Sequence, residues 1–202
     1  MIVGAKYKIC KRLGSSVFEK CQTQKFQLAE ARGAKSKKRG RPGSEYQKQL
    51  IEKQKLRLTY GLTEKQFSAY VAIALENHVN PAATLFGLLE SRLDSVVYRM
   101  GLTKTRRAAR QMVSHGHVVV DGRRVTIPSF RVRHGMQLTI REGSRGSTLF
   151  ANLTERLAEY RAPAWVMFDP STMTGSMKDA PTLPSGEGTG ADMQAVFEYY
   201  TR

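Results

Sequence analysis

Residues 105–140 read TRRAARQMVSHGHVVVDGRRVTIPSFRVRHGMQLTI, and two hydrophobic periods follow one another in them. Thr105 is an N-cap residue type. Ala108, Ala109, Met112 and Val113 fall on one face of a short helix through His115, which Gly116 stops with left-handed backbone. The period then drops to two. Val118 and Val120 alternate, Asp121-Gly122 is a hairpin-turn dipeptide, and Val125 and Ile127 resume the pattern. Pro128 marks a bend. His134-Gly135 turns the chain into Met136, Leu138 and Ile140, again at spacing two. With the helix before it, this makes a module of two helices and a small antiparallel sheet at about 90–142.

Arginine loads the same stretch. Arg106, Arg107 and Arg110 crowd the first turns of a helix, where the backbone dipole favours anions and a cation costs a few tenths of a kcal/mol (about 0.3–1). A phosphate there would be held by the dipole, the open amides and three guanidinium groups together. Arg123 and Arg124 follow the turn at Gly122, and Arg131 and Arg133 share a sheet face. These seven arginines are expected to line one concave surface, since guanidinium suits bidentate phosphate contact and stacking on exposed bases.

Upstream, the chain reads as helices. Ser44 caps one, with Glu45 and Gln47 in its first turn, Leu50, Gln54, Arg57 and Leu58 at helical spacing, and Tyr60-Gly61 at its close. Thr63 caps the next, with Gln66 three residues on, and Phe67, Tyr70, Val71, Ala74 and Leu75 form its stripe. After Asn80-Pro81, the positions Leu85, Leu89, Leu93, Val96, Val97 and Met100 read as one further helical stripe ending at Gly101. Residues 32–44 (RGAKSKKRGRPGS) have no apolar period and read as an arm that orders against phosphate, through Lys37, Lys38, Arg39 and Arg41. A nuclear-localisation run has the same composition. Downstream, Leu149, Leu153 and Leu157 suggest a helix and Trp165 to Phe168 a buried strand. Residues 181–190 (PTLPSGEGTG) form a loop, and a last element runs from Asp192 to Tyr200.

Charge agrees with the pattern. The chain of 202 residues carries a formal +16. Residues 1–58 hold 16 Lys/Arg against 4 Asp/Glu, and residues 98–145 hold 11 against 2. The stretches 59–97 and 146–202 are slightly acidic. Such an excess repels itself and is expected where a polyanion offsets it, here at two surfaces. Met1 to Lys6 lacks the apolar core of a secretory signal and no apolar run spans a bilayer, so a cytoplasmic protein without a membrane partner is expected.

Catalytic readings find little support. Cys10 and Cys21 lie in a basic, loop-like stretch without the paired spacings or histidines of a zinc site, so no metal and no cofactor is expected. His115, His117 and His134 have no acid–base partner, Asp121 being used by the turn. Gly186, Gly188 and Gly190 follow Pro184-Ser185 and not a strand, which is wrong for a dinucleotide loop. An RNA-modifying enzyme would need a catalytic domain beyond the module, and Asp169, Asp179 and Asp192 sit in contexts that do not supply one.

Residues 88–101 (LLESRLDSVVYRMG) and 106–140 resemble the αL RNA-binding module, which also occurs in some tRNA synthetases and pseudouridine synthases. Residues 44–67 (SEYQKQLIEKQKLRLTYGLTEKQF) are similar to the first helices of the S-four family of bacterial small-subunit ribosomal proteins. The resemblance is strongest from Arg41 to Ile140. It implies an α+β fold: a helical domain built from N- and C-terminal segments, with the αL module inserted. The boundaries expected are a basic arm over 1–44, a helical domain over 45–90 completed by 175–202, and the αL domain with a return segment over 91–174.

The resemblance also implies a function without catalysis. Members bind the 5′ domain of 16S rRNA directly and nucleate assembly of the small-subunit body. They touch neighbouring small-subunit proteins, especially protein S-five, influence translational accuracy, and line the path by which messenger RNA enters. Carried onto matching positions, RNA contact falls to Tyr46, Gln49, Lys53, Gln54, Lys55, Arg57 and Tyr60. In the module it falls to Arg92, Arg106, Arg107, Arg110, Gln111, His115, Gly122, Arg123, Ser129 and Arg131, beside the Arg124 and Arg133 read from spacing. The two cysteines resemble the zinc-free branch, and Ile51 stands where members usually carry Arg.

Overall fold

The first part of the chain is helical because its scattered apolar side chains find one another. The computed structural model describes residues 4–36, 44–183 and 190–202. Helix α1 (Lys6–Leu13) ends at Gly14 with φ 61°, a 3₁₀ turn covers Glu19–Cys21, and α2 (Gln24–Ser36) follows. Cys10, Phe18, Cys21 and Phe26 form a small buried core with Ile9, Val17 and Leu58 against it. The reading of 1–44 as a basic arm is therefore corrected up to Ser36. Two cysteines taken for loop residues are, with two phenylalanines, the apolar centre that a helical pattern needs. Lys37, Lys38, Arg39 and Arg41 lie outside the described residues, as do Gly186 and Gly188 of the downstream loop.

The chain divides into two units, residues 1–82 with 184–202, and residues 83–183. In the first unit α3 (Glu45–Thr59) begins where Ser44 Oγ accepts from the Gln47 amide, and α4 (Glu64–Leu75) begins at a reciprocal Thr63–Gln66 capping box. The inward stripe of α3 is Gln49, Lys53 and Leu56, continued by Tyr60, and not the stripe led by Leu50. The chain's last helix, α10 (Met193–Tyr200), is capped by Asp192 and packs on α3 through Val196 and Phe197.

Helix α5 (Pro81–Glu90), all but its first two residues in the second unit, and α6 (Leu93–Arg99) replace the single helix expected from the stripe of Leu85 to Met100. The break is at Arg92, which is extended at φ −66° and ψ 141°. It exists because residues 128–132 cross here. The Leu93 amide donates to Phe130 O (2.8 Å), Asp94 to Pro128 O (3.2 Å), and Val132 to Ser91 O (2.8 Å).

Helix α7 (Arg106–Ser114) is capped by Thr105 Oγ1 on the Ala108 amide, and Gly116 leaves it at φ 73°. Then come β1 (Val118–Val120), β2 (Arg123–Arg124), β3 (Gln137–Ile140), α8 (Glu142–Arg145), α9 (Leu153–Glu159), β4 (Val166–Asp169) and β5 (Thr174–Met177). The sheet is antiparallel throughout, in order β2-β1-β3-β5-β4. Asp121 and Gly122 both have positive φ, 46° and 77°, as the two-residue turn between β1 and β2 demands.

Four local expectations are corrected. Strand β2 stops at Arg124, leaving Ile127 exposed, because the chain departs there toward α6. The stretch 166–169 is an edge strand with Met167 exposed, and Leu149 precedes α9 on the surface. The sheet also continues past residue 142, since β5 pairs with β3. One core joins α6, α7, the sheet and Trp165, with Leu93, Val97, Val113 and Leu138 fully or nearly fully buried. The fold is α+β.

Candidate nucleic-acid interface

The arginines of the second unit separate into two groups, and two buried carboxylates do the sorting. Glu90 is wholly buried at the end of α5. It accepts from Arg99 through Nε (2.9 Å) and Nη2 (2.7 Å), and from Arg106 Nη2 (2.8 Å). Arg106 also donates to Ser95 Oγ (3.3 Å), and its guanidinium lies 4.7 Å from the centre of the Tyr98 ring. Asp94 takes a two-pronged contact from Arg92, Nε at 3.0 Å and Nη2 at 2.7 Å, with Arg110 at 3.9 Å. Arg92 is 2% exposed. Fully buried carboxylates require such partners, since an unpaired one costs several kcal/mol (roughly 3–5).

The seven arginines therefore do not line one concave surface. Arg106 is turned inward to Glu90, and Arg92, placed on the RNA surface by the resemblance, is buried against Asp94. Arg107, Arg123, Arg131 and Arg133 are exposed, and none has an acidic partner among the described residues. Gln111, His115 and Ser129 are also exposed.

These exposed groups gather at the two ends of α7. Near its first turn, residues 128–132 bring Ser129 and Arg131 beside the paired Arg92, and Arg131 bridges Arg92 by backbone. Arg131 and Arg133 with His134 also flank a groove of about 410 Å³ floored by Val132 and Met177. At the other end of α7 the hairpin comes in. Arg124 Nη2 donates to His115 O (3.0 Å), which places Gly122 and Arg123 beyond it. His117 Nδ1 lies 2.9 Å from Ser144 Oγ. Burial, then the charges of His115, Arg124 and Arg141, hold its imidazole below the usual histidine range.

Helix α3 sorts its candidates the same way. Lys53 is 6% exposed; its Nζ donates to Glu64 (2.7 Å) and lies 4.5 Å from the centre of the Tyr199 ring. Gln49 is buried and donates to Glu198 (2.9 Å), and Tyr60 is buried. Lys55 pairs with Glu52 (2.6 Å) and Arg57 with Glu64 (3.4 Å). Burial works to raise the Glu64 carboxyl. Hydrogen bonds from Lys53 and Tyr200 and the charges of Lys53 and Arg57 outweigh it and hold the group below its ordinary value. Tyr46 is half exposed, its ring 5.6 Å from Tyr199, and Gln54 accepts from Arg12 on the surface (2.6 Å).

Reading by residue type missed Glu90, Asp94, Glu64 and Tyr199. Their signal was a carboxylate or aromatic among cations, which marks a partner as readily as a surface.

Two family models match this chain. The S4 domain covers residues 91–138, and the Ribosomal protein S4/S9 N-terminal domain covers 2–90. A small ribosomal subunit protein uS4 from Roseiflexus sp. (strain RS-1) is 39% identical over 199 residues, 96% of each chain. The chain belongs to the uS4 family of small-subunit ribosomal proteins. A uS4 protein of Thermus thermophilus is 36% identical over 211 residues, 99% of this chain and 98% of its own. One from Corynebacterium kroppenstedtii is 46% identical over 162 residues, 79% of each. These uS4 relatives are ribosomal proteins and not enzymes. The S4-domain match lies inside the unit that carries α6, α7 and the hairpin.

Proposed function

We propose that this protein is a structural constituent of the small ribosomal subunit that binds 16S rRNA directly, in its 5′ domain, and nucleates assembly of the subunit body. One observation carries the reading. Arg107, Arg123, Arg131 and Arg133 stand exposed without acidic partners among the described residues, on a unit whose other arginines include those held by Glu90 and Asp94. Unpaired guanidinium groups at this density repel one another, and phosphate offsets that cost. Recognition proceeds by shape, phosphate and unstacked bases, with Gln111, His115, Gly122, Arg124 and Ser129 around the arginines.

Tyr46, Gln54, Lys55 and Arg57 form a second contact surface on α3. Lys37, Lys38, Arg39 and Arg41, which the sequence reading also assigns to phosphate, lie outside the described residues. Gln49, Lys53 and Tyr60 support this surface from inside, as Arg92 and Arg106 support the first.

The family reading extends to neighbouring proteins of the subunit, protein S-five above all, to the path of entering messenger RNA and to translational accuracy. The protein then acts in the cytoplasm; no described helix is long and apolar enough to cross a membrane. The test is retention of a 16S 5′-domain fragment on the purified protein against excess bulk tRNA. Survival of the complex supports the reading. Its loss reduces the charge to generic attraction for polyanions.

A further inference from the structure

We propose that Glu90, with Asp94 beside it, is a positioning residue of the RNA interface: it assembles the arginine surface before RNA arrives and touches no RNA itself. This rests on the rRNA-binding reading above.

The geometry ties three helices at one point. Glu90 ends α5, Arg99 ends α6 and Arg106 starts α7, and the two oxygens of one fully buried carboxylate hold both guanidinium groups. Arg106 is next in sequence to Arg107 and on the same first turn. Fixing Arg106 to Glu90, Ser95 and the Tyr98 ring fixes the direction in which Arg107 leaves the helix. Asp94 repeats the arrangement one helix on. It grips Arg92 with both oxygens and has Arg110 of α7 at 3.9 Å. Arg92 is bridged to Arg131, an exposed arginine of the crossing segment. Each carboxylate thus holds one exposed arginine in register through another, Glu90 through the half-buried Arg106 and Asp94 through the buried Arg92. Preassembly reduces the ordering cost that a long side chain otherwise meets on binding.

The idea has a sign that plain electrostatics lacks. Replacing either carboxylate by its amide raises net charge by one. A surface acting only through its charge then binds a polyanion more tightly, with an equal or steeper salt dependence. The positioning role predicts weaker binding.

The experiment compares the full chain with Glu90→Gln and Asp94→Asn, for affinity toward a 16S 5′-domain fragment and for amide exchange across residues 106–110 without RNA. We expect a loss of affinity of about tenfold in each variant, and faster exchange over the first turn of α7 in Glu90→Gln. Affinity equal to or above that of the parent in a folded variant overturns the proposal. Should Glu90→Gln fail to fold, Asp94→Asn decides by the same criterion. A parent chain that does not bind the fragment sinks the rRNA reading instead. Exchange then judges the clamp alone, and an unchanged rate over 106–110 overturns it.

Discussion

The Arg124 guanidinium lies across Gly116, so close that a Cβ built on that glycine would sit 2.1 Å from Arg124 Nε. Arg124 spends one donor there on the His115 carbonyl at 3.0 Å, which closes the hairpin onto the end of α7. Gly116 is needed twice, for its φ of 73° and for this passage.

Gly116→Ala should accordingly cost about 1–2 kcal/mol in backbone strain alone and lower the melting temperature by a few degrees, roughly 2–8 °C. It should also push Arg124 outward and weaken rRNA binding. Calorimetry and a binding titration check the two parts. An alanine variant that melts with the parent contradicts the first.

Arg106→Ala and Arg107→Ala are neighbours with opposite expectations. Arg107 is exposed, so its loss should leave stability within about 0.5 kcal/mol and weaken rRNA binding. Arg106 shares a fully buried carboxylate with Arg99, so its loss should cost about 1–3 kcal/mol of stability as well. Denaturant midpoints beside affinities separate them, and equal stabilities would contradict the inward placement of Arg106.

Lys53→Met tests α3. Lys53 is buried against Glu64 and Tyr199, so the variant should lose about 1–3 kcal/mol of stability and leave the salt dependence of rRNA binding unchanged. A lysine on phosphate would instead reduce the log–log slope by about one.

Acid should destabilise the protein in two stages. The His117 pKa is held below its ordinary 6.5, so the unfolded chain takes up that proton first. Stability is full above 6.5 and falls as pH drops toward the lower folded value. The Glu64 pKa is held below its ordinary 4.5, so its contribution is full above 4.5 and is lost as pH falls through the folded value. Urea midpoints across this range should therefore decline on acidification, and His117→Gln should flatten the first decline. A midpoint that rises between neutrality and pH of about 5 contradicts the assignment.

Much of this architecture is legible in the sequence, because its signals are local. Ser44, the Thr63–Gln66 box, Thr105 and Asp121-Gly122 each declare a cap or turn within four residues. What was not legible depends on which side chains the folded chain brings together. Gln49 and Lys53 look like surface groups until Glu198 and Glu64 meet them. Arg92 looks like a phosphate ligand until residues 128–132 break the helix and bury it against Asp94. Cys10 and Cys21 look like loop residues until Phe18 and Phe26 close round them. The site followed the same rule: its arginines are visible by type, and which of them face outward depends on buried carboxylates.

The most direct measurement is the salt dependence of binding to the 16S 5′-domain fragment, for the parent and for a variant with Arg107, Arg123, Arg131 and Arg133 all replaced by Gln. The four exposed arginines should each release a phosphate counterion, so the variant's log–log slope should be shallower by about 3 and its affinity lower by orders of magnitude. A slope equal to the parent's would place the RNA on another surface and contradict the account.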